Sequence, residues 1–148
     1  MQSDPFETSA DEKPVFEEIE HTADIALKIV GKSLRSLFIH AALGFNSLLE
    51  GMDNADSFEQ VHHDLQIDAA DSEQLLVQWL SELAFFAEVE QVRFDRFDIK
   101  KISPTHLNAG MKGRRFDVLN NPVKAVTYHN LKIVETPQGF ETTVVFDI

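Results

Sequence analysis

SLRSLFIHAALGFNSLL, residues Ser33 to Leu49, is the stretch on which the fold turns. Leu34, Leu37, Phe38, Ala41, Phe45, Leu48 and Leu49 recur at the three- and four-residue spacing of a single helical face, and Met52 continues the stripe. Ser33 in front of it can accept a hydrogen bond from an open backbone N–H of the first turn, and Gly51 stands near its end. The spacing predicts an amphipathic helix beginning at Leu34. A second stripe follows at Leu75, Leu76, Trp79, Leu80, Leu83, Phe86 and Ala87, where Asp71 with Gln74 three residues later has the pattern of a capping box.

Outside these two segments the apolar period falls to two. Ile25, Leu27 and Ile29; Val61, His63, Leu65 and Ile67; Leu107, Ala109 and Met111; and Phe140, Thr142, Val144 and Phe146 all read as strands with one face buried. Val92 to Ile99 and Val123 to Val134 add two or three more, with Pro104, Pro122 and Pro137 marking turns. Two strands, helix, strand, helix and a run of strands describe an α+β domain: a mixed β-sheet with the two amphipathic helices packed on one face. Residues 1–14 are polar and acidic and are expected to form a flexible lead-in; residues 15–148, with no linker and no repeat, are expected to form a single domain.

Composition narrows the function. At 148 residues and 43% apolar, the chain can bury one proper core. Its net charge of −12 disfavours general binding to nucleic acid or acidic membranes, because most of its surface would repel a polyanion. The absence of Cys excludes a disulfide framework, a thiolate zinc site and a cysteine nucleophile. No basic-then-apolar leader and no apolar run approaching about 20 residues occurs, so a cytoplasmic location without membrane contact is expected. Charge is uneven, however: Lys100, Lys101, Lys112, Arg114 and Arg115 fall in a stretch, 99–116, that holds no acid. Such a stretch is either a solvated hairpin or a local contact for a partner's acidic surface or RNA phosphate.

Three groups of residues could carry chemistry. Glu20-His21-Thr22-Ala23-Asp24 separates two strand-like segments, where His21 and Asp24 serve either as metal ligands or an acid–base pair, or simply as a turn held by Asp24 or Thr22. Asp147 adjoins the α-carboxylate of Ile148 at the end of a strand; two anions so close repel unless a cation lies between them, although a frayed polar end is the commoner case. Val123-Lys124-Ala125-Val126-Thr127-Tyr128-His129 holds a lysine among apolar neighbours, which either snorkels to an edge or pairs with a carboxylate. The adjacent His62 and His63 point to opposite faces of a strand and cannot easily share an ion. No phosphate loop, GxGxxG, HExxH or GxSxG is present.

Taken in order, Glu20-His21-Thr22-Ala23-Asp24, the Val123–His129 run and the terminal Asp147-Ile148 resemble the archease family. The resemblance extends over Phe16 to Ile148 and includes Gly31-Lys32-Ser33-Leu34 and Asp71-Ser72-Glu73-Gln74-Leu75-Leu76 at the two helix starts. It implies a protein cofactor and not a stand-alone enzyme: archeases assist the RtcB-type RNA-splicing ligase, which joins RNA ends using GTP and a divalent metal, by promoting its guanylylation and multiple turnover. The family's functional carboxylates correspond to Asp24, Asp147 and the Ile148 carboxylate, which form a metal site usually associated with calcium. Its functional lysine corresponds to Lys124.

An all-oxygen, anionic donor set suits a hard cation, and His21 and His129 are expected to orient it from a second layer. RNA contact is expected only indirectly, through residues 100–115. The family commonly continues with acidic residues where this chain has Gly113-Arg114-Arg115-Phe116, which reverses the local charge and puts partner contacts there in doubt. Two further functions compete: a metal-dependent hydrolase built on His21, Asp24 and Asp147, which needs a substrate-sized pocket and an activated water, and a chaperone-like module for RNA-modification enzymes.

Overall fold

The computed structural model describes residues 12–20, 24–49, 59–116, 123, 125–128 and 130–147. Most of the expected lead-in, and the expected helix-end residues Gly51 and Met52, lie outside these. The described chain runs β1 (Val15–Glu20), β2 (Asp24–Gly31), α1 (Leu34–Ser47), β3 (Gln60–Asp68), α2 (Ser72–Phe85), a π-helical turn (Phe86–Glu90), β4 (Val92–Ser103), β5 (His106–Arg115), β6 (Ala125–Thr127), β7 (Val134–Thr136) and β8 (Gly139–Asp147).

Both helices begin where their caps predict. Ser33 is extended; its Oγ accepts from Ser36 N–H at 3.1 Å, and Ser36 Oγ accepts from Ser33 N–H at 3.0 Å, a closed capping box. Asp71 Oδ1 accepts from Gln74 N–H at 2.8 Å, while Gln74 Oε1 reaches one residue further back, to Ala70 N–H at 2.7 Å. The apolar stripe of α2 runs on unbroken into the π-helical turn, where the backbone gains one residue per turn and Ala87 stays buried.

The α+β class is the one expected, and its strands are divided between two antiparallel sheets where the sequence pointed to one mixed sheet. One sheet is ordered β1-β2-β8-β6, with β7 also paired to β8; the other is ordered β3-β5-β4. Period-two alternation specifies which face of a strand is buried and leaves its partner open, so the division lay beyond it. The helices fill the space between the sheets: α1 packs on β2 and β8 on one side and on β4 on the other, and α2 packs against β6, β3 and β4.

Polar links fix that arrangement. Arg35 Nε–H donates to the Ile99 carbonyl at 3.1 Å and Asn46 Nδ2–H to the Phe94 carbonyl at 2.5 Å, fastening both ends of α1 to β4. Trp79 Nε1–H donates to the Phe38 carbonyl at 3.0 Å, and its ring meets Phe97 edge-on at 5.7 Å, joining the two helices and β4. Phe38, Phe45, Trp79, Phe94, Phe97, Phe116 and Phe146 are large buried groups of this core. No helix among the described residues is long and apolar enough to cross a membrane.

Candidate functional site

β8 is the strand that organises the site. It pairs with β2 along its whole length and, on its other edge, with β7 near its start and β6 near its end. Asp24, the first residue of β2, stands directly opposite Asp147, the last of β8, and Ala125, the first of β6, stands opposite Asp147 on the other side. Residues 24, 147 and 125, which begin or end their strands, thus form one row at one end of the sheet.

Direct opposition puts two side chains on the same face with Cβ atoms about 5 Å apart. Ile25, Val144 and Phe146 point inward to the core, so alternation sends Asp24 and Asp147 to the face turned away from the helices. Each is half-buried. Two carboxylates so placed repel; at about 5 Å the interaction amounts to about 1 kcal/mol in water and about 3 kcal/mol at the effective dielectric of a protein surface. A cation between them removes that cost, and their oxygens are the donors that Ca²⁺ and Mg²⁺ take. Two carboxylates offer at most four oxygens, fewer than the six to eight of a calcium site, so further donors are needed. Among the described residues no group of three or more His, Asp or Glu is gathered closely enough to hold an ion.

Of the residues singled out in the sequence, Asp24 and Asp147 are therefore brought together. Ile148, Lys124, His21 and His129 lie outside the described residues. Alternation within each strand could not show the opposition of Asp24 and Asp147, because it arises from the pairing of the second strand with the last.

The remaining histidines have structural surroundings. His62 points outward beside Asp64 at 3.3 Å, and His63 points inward against the Phe86 ring at 4.6 Å, so they sit on opposite faces as expected. His106 Nδ1 pairs with Asp68 Oδ1 at 2.8 Å across β3 and β5. His40 is fully buried in α1, with Nδ1 at 2.6 Å from the Val30 carbonyl.

The basic stretch is split by the fold. Arg115 is taken up by Glu59 at 3.0 Å and by the Glu90 carbonyl at 2.7 Å, and Lys100 lies 3.9 Å from Asp64. Lys112 and Arg114 are joined instead by Arg96 and Arg93 of β4, which lie outside the stretch and which sequence reasoning missed. The signal available was two arginines, Arg93 and Arg96, in a strand-like run; their grouping depends on an irregularity of register between Phe94 and Arg96.

Residues 16–148 match the model of the Archease protein family. The chain is 32% identical over 141 residues to the protein archease of Methanosarcina barkeri, covering 90% of this chain and 95% of that one. It is 34% identical over 139 residues to the protein archease of Saccharolobus islandicus, covering 90% and 98%. Its fold is similar to the solution structure of Methanobacterium thermoautotrophicum protein 1598, with a TM-score of 0.64 at 23% identity over 90% of this chain and 98% of that one. It is similar also to the crystal structure of an archease, possible chaperone, from Thermotoga maritima, with a TM-score of 0.63 at 22% identity over 93% and 100%.

Proposed function

Because the chain belongs to the archease family, we propose that it is a non-catalytic protein cofactor of an RtcB-type RNA-splicing ligase, acting in the cytoplasm to promote guanylylation and multiple turnover of that ligase in tRNA splicing or RNA repair. The observation that carries this reading is the opposition of Asp24 and Asp147 on the outer face of the larger sheet. Two carboxylates held in register by a full-length strand pairing form an anionic edge turned away from the core, suited to a cation or to a partner and not to packing.

In this reading Asp24, Asp147 and the terminal carboxylate of Ile148 hold a divalent metal ion, calcium by the family resemblance. A bound ion supplies positive charge that offsets the repulsion between the carboxylates and can interact with phosphate oxygens. His21 and His129 orient the carboxylates by hydrogen bonding. Lys124, which corresponds to the family's functional lysine by the resemblance, contacts the ligase. Activation requires that this surface bind the nucleotide-transfer-competent conformation of the ligase more tightly than its resting one, since only a difference in affinity shifts a population.

The test is multiple-turnover ligation with RNA in excess over ligase. Lys124→Ala is expected to fold as the wild type does and to leave the ligase stalled after its first turnovers. Full support of turnover by that variant would remove Lys124 from the site. A second reading, a chaperone-like module for RNA-modification enzymes, draws on the description of the Thermotoga maritima protein as a possible chaperone; stabilisation of the ligase without any change in its turnover would favour it.

A further inference from the structure

Val15, Ile19, Phe85, Val89, Tyr128 and Val134 are the large apolar side chains left open to solvent among the described residues. Such residues scattered singly are ordinary. Phe85 and Val89 are not scattered. Phe85 ends α2, and Val89 lies four positions on, in the π-helical turn that continues it; that spacing puts two side chains on one side of a helix. Phe85 is 48% exposed and Val89 60%, and π-helical turns recur at functional sites.

The pair is braced from beneath. The Phe85 ring meets the Phe86 ring edge-on at 5.7 Å, and Phe86 in turn meets Phe94 edge-on at 5.1 Å and His63 at 4.6 Å. Phe94 is buried in the core. An exposed ring held in this way loses little freedom when a partner covers it, which favours its use as a binding anchor.

The surroundings of the pair are acidic. Glu82 and Glu88, three positions before and after Phe85, stand beside it on the helix surface, and Glu90 adjoins Val89. Residues 81–91 hold these three acids and no Lys or Arg. Arg115, which donates to the Glu90 carbonyl at 2.7 Å, is also paired with Glu59 at 3.0 Å. Acids at a helix C-terminus oppose its dipole, and no basic residue in the last turn of α2 or of the π-helical turn offsets them.

We propose that Phe85 and Val89 anchor a protein partner through a segment in which an apolar side chain is flanked by lysines or arginines. A polyanion or an acidic membrane would be repelled by the three acids. A second copy docked through the same patch would set Glu82, Glu88 and Glu90 against their own equivalents. The partner is taken to be the ligase, and in this the inference rests on the ligase-cofactor reading; an enzyme that handles RNA phosphates and GTP must present cationic surface. Asp24 and Asp147 supply charge, and Phe85 with Val89 supplies the apolar contact from which interfaces draw most of their affinity.

The experiment measures binding of the full chain to an immobilised RtcB-type ligase from the same source by biolayer interferometry, together with the concentration of the chain that half-saturates ligase guanylylation. Phe85→Ala with Val89→Ala should weaken binding at least about tenfold, and raise the half-saturating concentration in proportion, with the same maximal rate at saturation. Asp147→Ala should lower that maximum instead. Glu82→Gln with Glu88→Gln should slow association and flatten its dependence on salt. Val15→Ala with Val134→Ala removes exposed apolar surface from the end of the larger sheet opposite the carboxylates, and should leave the affinity within about twofold. Thermal melting of each variant checks its fold.

Unchanged affinity in the Phe85 and Val89 variant, equal losses in the two apolar double variants, or a lowered maximal rate at saturation would overturn the proposal. So would a wild-type dimer, seen by sedimentation, that the variant dissolves without any change in ligase affinity, which would assign the patch to a second copy. A wild type that binds and accelerates the ligase, matched in both by the Phe85 and Val89 variant, removes the anchor alone. A wild type that does not bind an active ligase removes the ligase-cofactor reading and the anchor with it.

Discussion

Replacing Asp147 by Asn removes one of two opposed carboxylates while keeping the shape of the side chain and the pairing of the strand. The register places the Cβ atoms of Asp24 and Asp147 about 5 Å apart. Coulomb's law gives about 0.8 kcal/mol for unit charges at that distance in water and about 3.3 kcal/mol at an effective dielectric of 20. Both residues are only half-buried, so about 1 kcal/mol is the appropriate scale. In EDTA, Asp147→Asn should therefore raise the melting temperature by about 2–4 °C for a domain of this size.

Calcium should invert the order. Ligand at about 100 times its dissociation constant stabilises the native state by about 2.7 kcal/mol, or about 5–10 °C here. The wild type should gain that increment, and Asp147→Asn, left with one carboxylate of the pair, should gain little of it. Scanning calorimetry of both proteins in EDTA and in calcium chloride reads all four values. A variant that melts lower than the wild type by the same amount in both buffers, or a wild type that responds to neither calcium nor magnesium, would rule out a cation held between the two carboxylates.

Three stability predictions follow from the packing. A Cβ built on Gly113 meets the Arg93 carbonyl oxygen at 2.0 Å, so Gly113→Ala must push β5 away from β4; a loss of about 2–3 kcal/mol is expected, seen as a fall of about 5–10 °C in melting temperature. Asp71→Ala removes the cap of α2 and should cost about 1 kcal/mol, with Asp71→Asn nearly neutral, as read from urea midpoints at constant slope. Asn46→Leu leaves the buried carbonyl of Phe94 without its 2.5 Å donor and should cost about 1–3 kcal/mol in the same titration.

Local features of this fold were legible in the sequence, and long-range ones were not. Ser33 and Asp71 announced the helix starts because capping is decided within four residues. Alternation announced the faces of β2, β3, β5 and β8 because a side chain's direction in a strand depends only on its parity. What closes the site is a different kind of information. Asp24 and Asp147 meet through the pairing of strands at opposite ends of the chain, and no local pattern states which strand a given strand will choose. The π-helical turn at Phe86–Glu90 was hidden for the converse reason: its apolar residues keep the helical stripe while the backbone hydrogen bonding changes. The cross-strand neighbours Arg93–Arg114 and Arg96–Lys112 combine both difficulties, since they meet only through register and its interruption.

Whether this protein is a ligase cofactor is decided by the initial rate of ligase guanylylation with GTP under limiting divalent metal, using an RtcB-type ligase from the same source. The rate is measured without this protein, with it, and with Asp147→Ala. Acceleration by the wild type is expected to disappear in the variant while the variant's fold is unchanged. Equal acceleration by both would contradict the carboxylate site, and no acceleration of an active ligase by the wild type would contradict the cofactor function itself.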